Sequence, residues 1–160
     1  MIAEAIRKAD PELEVSRADD VSFPGSITSD ILTRIMHSTY VVADITYPNP
    51  NLFYELGLRH AVRNKTILLR EANSSANVFD ISHLRHIEYE NTPTGLKDLS
   101  QKLKENFEWM AANPQKPDNH FIEMAALTGF QYPSFYESPE EKQKRVTLAM
   151  LHFFSRTRNF

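Results

Sequence analysis

The chain contains no cysteine, which removes disulfides, thiol nucleophiles and thiolate zinc sites together and is compatible with a reducing compartment. It also lacks any apolar run approaching the roughly 18 residues of a membrane-spanning helix, so no membrane span is expected. Charge of one sign is scarce as well: 18 Lys and Arg stand against 21 Asp and Glu, a net charge of −3. Such a field does not draw in a polynucleotide backbone, and no polynucleotide partner is expected. There is no Gly-x-Gly-x-x-Gly or Walker A sequence, so Rossmann hydride transfer and P-loop phosphoryl transfer lack their phosphate cradles, and no Gly-x-Ser-x-Gly elbow is present. The first nine residues carry Glu4 and lack both the basic and the long apolar region of a signal peptide. These absences together predict a cytoplasmic protein.

What is present fits one ordinary globular domain. The 160 residues, 41% hydrophobic and 24% charged, allow a real core but not two independent ones. Ile2, Ala5, Ile6 and Ala9 have helical spacing, and Asp10-Pro11 ends that segment. Leu13 to Arg17 alternates with period two and predicts a half-buried strand, followed by a polar loop over Ala18 to Gly25. Ser26 or Thr28 suits the cap of a helix with Ile27, Ile31, Leu32 and Ile35 on one face. Tyr40 to Ile45 is short, β-rich and nearly all apolar, the pattern of a strand covered on both faces.

Asn49-Pro50 then offers a helix start, with Asn49 or Asn51 as cap and Pro50 at the first position. The helix is predicted to run to about Arg63, with Phe53, Leu56, Gly57, His60 and Ala61 on its inner face and Gly57 allowing close approach to the sheet. Lys65 to Leu69 reads as a strand, 71–77 as a polar loop, His86 to Tyr89 as an edge strand and Leu96 to Ala112 as a helix. Beyond it lie a helical stretch over Phe121 to Leu127, a loop with Tyr132, Phe135 and Tyr136, and a helix over about 139–154. The alternation of helix and strand implies a doubly wound, flavodoxin-like α/β parallel sheet over 1–112, with 113–160 as a helical extension. In such folds ligands sit beyond the carboxyl ends of the strands, where Asp44 and the Pro-Asn loop fall.

The map opens on a helix, whereas a doubly wound domain ordinarily opens on a strand, and in the flavodoxin-like order that first strand is central. The domain is therefore expected to be N-terminally incomplete. Residues 13–17 and 40–45 then have no common neighbour, and their backbone groups need another partner.

The candidate site is the strand-to-helix stretch Asp44 to Gly57. Glu55 falls within two turns of a helix start whose N–H groups favour anions. A carboxylate so placed can attack an anomeric carbon or stabilise the oxocarbenium-like charge that forms as a glycosidic bond breaks. Nicotinamide leaves NAD neutral from a cationic precursor, so one carboxylate suffices there. By spacing alone Glu55 better suits an i, i+4 ion pair with Arg59 on a solvated face, worth about 0.3–0.5 kcal/mol. Asp44 either orients a ribose hydroxyl or caps the adjacent loop; Asn49 and Asn51 either cap the helix or bind ligand. Phe53 and Tyr54 either stack on a base or pack. Arg17 and Asp20, with Asp19, either contact phosphate and sugar or form a solvated loop. His83 and His86 are at i, i+3 without a cysteine or a helical carboxylate nearby, so no metal is expected.

Arg17-Ala18-Asp19-Asp20, Val41 to Thr46, Asn49-Pro50-Asn51-Leu52-Phe53-Tyr54-Glu55-Leu56-Gly57, His60-Ala61 and Lys65 to Leu68 together resemble the nucleoside 2-deoxyribosyltransferase-like and bacterial TIR-like superfamily over roughly residues 1–110. The resemblance implies cleavage of an N-glycosidic bond, with Glu55 matching the catalytic Glu. Asp44, Asn49, Asn51, Tyr54, Arg17 and Asp20 are then the candidate substrate-binding residues. Members either transfer deoxyribose between bases or hydrolyse NAD in antiphage or cell-death signalling. NAD then enters as a substrate, and no cofactor is implied. Three readings follow: NAD hydrolysis, deoxyribosyl exchange with Asp44 or Asp20 as acid, and a non-catalytic nucleotide sensor that forms a homo-oligomer and signals.

Overall fold

The computed structural model describes residues 1–17, 27–47, 49–74 and 84–130. Helix α1 (Ile2–Ala9) is followed by α2 (Ile27–His37), strand β1 (Val41–Asp44), α3 (Pro50–Val62), β2 (Thr66–Glu71), β3 (Ile87–Tyr89), α4 (Pro93–Ala112) and α5 (His120–Thr128). The expected α/β class is what forms. Among the described residues a three-stranded sheet has the order β1-β2-β3, and both pairs are parallel, with Val41 beside Thr66 and Leu69 beside Ile87.

Period-two alternation along β2 sends side chains to two cores. Ile67 and Leu69 join Ala5, Ile6 and Ala9 of α1, Tyr89 of β3, and Leu99, Leu103, Phe107 and Met110 of α4. On the other face Leu68 joins Ala43, Ile45 and Leu56. Helices α1 and α4 pack on each other, and α3 packs against both α2 and α5. The sheet is thus covered on both sides, which is why β1 and β2 read as unbroken apolar runs. Full burial of each such Leu or Ile contributes about 1.5–3 kcal/mol.

Local chemistry explains the helix boundaries. Asn49 caps α3, its side chain accepting from the Asn51 N–H at 2.9 Å, and Pro50 takes the first position, where no N–H is needed. Helix α4 begins at Pro93 rather than at Leu96, because Thr92 caps it by accepting from the Gly95 N–H at 3.0 Å. Asn119 caps α5 through the Ile122 N–H at 3.1 Å, and Gly129 ends it in the left-handed region at φ 68°. Asp118 ties α5 to the sheet, its carboxylate accepting from the Thr66 N–H at 2.7 Å. The compact unit accordingly runs from Met1 to Phe130.

Two expectations are corrected. Residues 13–17 form no strand, although Leu13 and Val15 pack against the α1–α4 core as their alternation requires. The period is present, and among the described residues no strand pairs with it. Gly57 makes no close approach to the sheet: it is exposed, and a Cβ added there would meet nothing within 4 Å. The inner face of α3 runs through Leu52, Phe53, Leu56 and Arg59 instead. The expected helix over 139–154, the aromatics Tyr132, Phe135 and Tyr136, and Ser26, Asp19, Asp20 and His83 lie outside the described residues.

Candidate functional site

A cavity of about 1060 Å³ lies along β1, lined by residues of α1, α2 and α3, by Val15, Ser16 and Arg17, and by Tyr89 and Asn91. Its polar end is built where β1 gives way to α3. Asp44, the last residue of the strand, accepts from the Thr46 N–H at 3.0 Å, from the Thr46 hydroxyl, and from the Tyr89 hydroxyl at 2.8 Å. The first two bonds close an Asx turn that stops the strand and swings the chain toward Asn49.

Thr46 does more than stop a strand. It is 1% exposed. Its hydroxyl also accepts from the Glu71 N–H at 2.9 Å, while its carbonyl accepts from the Ser74 hydroxyl at 2.8 Å. The carboxyl ends of β1 and β2 are therefore stitched together through one side chain. Burial, ahead of its bond to Asp44 and the nearby carboxylate charge, pushes the Tyr89 hydroxyl up to about 12. It stays protonated near neutrality and remains a donor that fixes the Asp44 carboxylate.

Five of the seven residues singled out from the sequence line this cavity: Arg17, Asp44, Asn49, Asn51 and Glu55. They come from three segments that only the fold brings together. Asn49 is the helix cap, so the capping reading holds for it, and it still faces the cavity. Tyr54 does not join them: it is 61% exposed and lines no part of the cavity. Asp20 lies outside the described residues. Phe53 packs against the core beneath α3.

The solvated pairing face imagined for Arg59 is also corrected. Arg59 is 0% exposed. Its guanidinium donates to the carbonyls of Ile35 and Ser38 at 2.8 and 2.7 Å, and to Thr39, Asn64 and Lys65 at 3.1, 2.7 and 3.4 Å. Those carbonyls belong to the end of α2 and to the turn before β2. The residue that looked like surface charge is a clamp that holds two chain crossings under the cavity floor. Burial, then repulsion from Arg63, pulls its pKa down to about 10, against an opposing attraction from Asp118. It is still a cation at neutral pH.

Thr46, Tyr89 and Arg59 were not anticipated as part of the site. The Asp-x-Thr spacing after an apolar strand was a usable signal for Thr46. Tyr89 had none, because its meeting with Asp44 depends on the register of three strands. Among the described residues no group of three or more His, Asp or Glu side chains gathers in a way that would hold a metal ion. None of their helices is long and apolar enough to cross a membrane. Comparison with protein-family models, with curated proteins and with solved structures finds no match to this chain.

Proposed function

We propose that this cavity hydrolyses the N-glycosidic bond of a nucleotide, NAD foremost, with Glu55 as the catalytic carboxylate. The observation that carries the reading is the convergence of Arg17, Asp44, Asn49, Asn51 and Glu55 on one cavity at the carboxyl end of β1. Apolar walls from Ile2, Leu52 and Leu56 surround a few polar groups there, the usual make-up of a small-ligand site. The resemblance of the Asn49 to Gly57 sequence to that of the deoxyribosyltransferase-like and TIR-like superfamily supports the same reading.

In this mechanism the bond from ribose C1′ to the pyridinium nitrogen breaks, and its electron pair leaves with neutral nicotinamide. Glu55 stabilises the oxocarbenium-like carbon or bonds to it. Water adds at C1′, one proton is released, and ADP-ribose is the second product. Asp44, held by Thr46 and Tyr89, orients a sugar hydroxyl, and Arg17 meets a phosphate at the rim. With both Asp44 oxygens engaged as acceptors, the arrangement suits an orienting group better than the acid that exchange between bases would require.

The test is nicotinamide release from NAD by the wild-type chain and by Glu55→Gln. Loss of about 10²-fold or more in kcat is expected from removing a charge that acts on the transition state; equal rates would remove Glu55 from the reaction. A second reading, a nucleotide-sensing module without turnover, draws support from the absence, among the described residues, of a strand beside β1 on the cavity side. A thermal shift with nucleotide and no released nicotinamide, together with ligand-dependent self-association, would favour it.

A further inference from the structure

Asp44 ends β1 and lines the cavity, and its hydrogen bonds divide unequally between its two carboxylate oxygens. Oδ1 accepts twice, from the Thr46 N–H at 3.0 Å and from the Thr46 hydroxyl. Oδ2 accepts once, from the Tyr89 hydroxyl at 2.8 Å. A carboxylate has about four acceptor sites. Three are taken, and no further donor among the described residues bonds to the fourth, which lies on Oδ2.

The bonded donors are themselves fixed. Thr46 is 1% exposed, and its hydroxyl oxygen already accepts from the Glu71 N–H at 2.9 Å, so its single proton goes to Asp44. Tyr89 is buried at the end of β3 and meets Asp44 across the β1-β2-β3 ladder. An Asx turn needs only one side-chain oxygen and closes equally well with asparagine. The Tyr89 bond to Oδ2 adds nothing to that turn; it fixes the direction of the lone pair that is left. All three donors are neutral groups, and a hydrogen bond to a carboxylate is about twice as strong as one between neutral partners.

On the nucleotide reading of the cavity, on which this inference rests, we propose that Asp44 accepts one ring hydroxyl of the bound ribose through the site left on Oδ2. Tyr89 is the positioning residue that limits it to one. An unrestrained carboxylate grips a ribose cis-diol with both oxygens, each accepting from one hydroxyl. With Oδ1 filled by Thr46, that two-pronged grip is closed off. The site therefore tells a ribose that lacks its 2-hydroxyl from one that lacks its 3-hydroxyl, because only one of the two reaches Asp44.

The experiment measures, by titration calorimetry on the full chain, the binding of ADP-ribose and of its two analogues lacking the 2-hydroxyl or the 3-hydroxyl of the terminal ribose. One analogue is expected to bind about 10- to 100-fold more weakly than the other, the range for one hydrogen bond to a charged group. Asp44→Asn, which can keep the turn, and Tyr89→Phe, which frees Oδ2, are each expected to bring that ratio to within about three-fold. A merely structural loss weakens all three ligands together and leaves the ratio unchanged. Tyr89→Phe keeps its ring in the core and decides the matter if Asp44→Asn does not fold. A wild-type ratio near one, or a ratio that survives the substitutions, overturns the proposal and leaves the nucleotide reading standing, since ADP-ribose still binds. No binding of ADP-ribose also overturns it, and no nicotinamide release from NAD in addition removes the nucleotide reading as well.

Discussion

Replacing Arg59 by Met tests whether the residue is a buried clamp or a surface charge. Methionine keeps much of the side-chain length and carries no donor, so five carbonyls at the α2 terminus and the turn before β2 lose their common partner. Hydrogen bonds to charged groups contribute about 1.5–3 kcal/mol each, and a buried acceptor left unsatisfied costs about 1–3 kcal/mol. Water reaches some of the exposed loop carbonyls after the change, and removing the cation also relieves its desolvation, so the terms do not add. A net loss of about 3–5 kcal/mol follows, the range for breaking one side of a buried charged network. Urea unfolding followed by circular dichroism is the assay; with a slope of about 1–3 kcal/mol/M the midpoint falls by about 2 M. Arg59→Lys recovers part of that loss, since one ammonium reaches one crossing but not both. If Arg59→Met unfolds within about 0.5 kcal/mol of wild type, the value expected for an exposed pair, the clamp is refuted.

Two glycines make opposite predictions. Gly57 sits in the interior of α3 with open space around it, so Gly57→Ala is expected to stabilise the protein by about 0.5–1 kcal/mol, measured as a raised urea midpoint. Gly95 has no such room: a Cβ would lie 2.3 Å from the Glu90 carbonyl oxygen. Gly95→Ala is expected to cost about 1–3 kcal/mol by forcing the start of α4 off β3, seen as a lowered thermal midpoint. His60 sets an acid limb: burial, ahead of the opposing pull of Asp118, holds its pKa below 6.5. A base with a depressed folded pKa binds protons more readily when unfolded, so its contribution is intact above pH 6.5 and falls away as pH drops toward the folded pKa. His60→Asn should lose less thermal stability than wild type between pH 7.5 and 5; parallel curves would exclude His60 as the cause.

Local chemistry was legible wherever a residue acts on its own neighbours. Asn49-Pro50 announced the start of α3, and the apolar runs of β1 and β2 announced a sheet covered on both faces, because capping and two-sided burial leave marks in adjacent residues. The Asp44–Glu55 stretch was recognisable as a strand-to-helix junction for the same reason. Alternation at 13–17 was legible too, and Leu13 and Val15 do face the core. Whether those residues pair as a strand depends on a neighbour, which no local pattern encodes. On α3 the helical period located an inner face but placed Gly57 on it and Arg59 outside. Burial of Arg59 is decided by carbonyls about twenty residues earlier and five to six later, and spacing along one helix carries no information about them. The bond from Tyr89 to Asp44 spans 45 positions and exists only because β1, β2 and β3 align in a particular register. The amino-acid sequence thus determined the α/β alternation over β1, α3 and β2, the Asn49 cap and the residue types at the carboxyl end of β1. Tertiary structure alone decided that Arg17, Asp44 and Glu55 share one cavity and that Tyr89 reaches Asp44, since both depend on which distant segments the fold brings side by side.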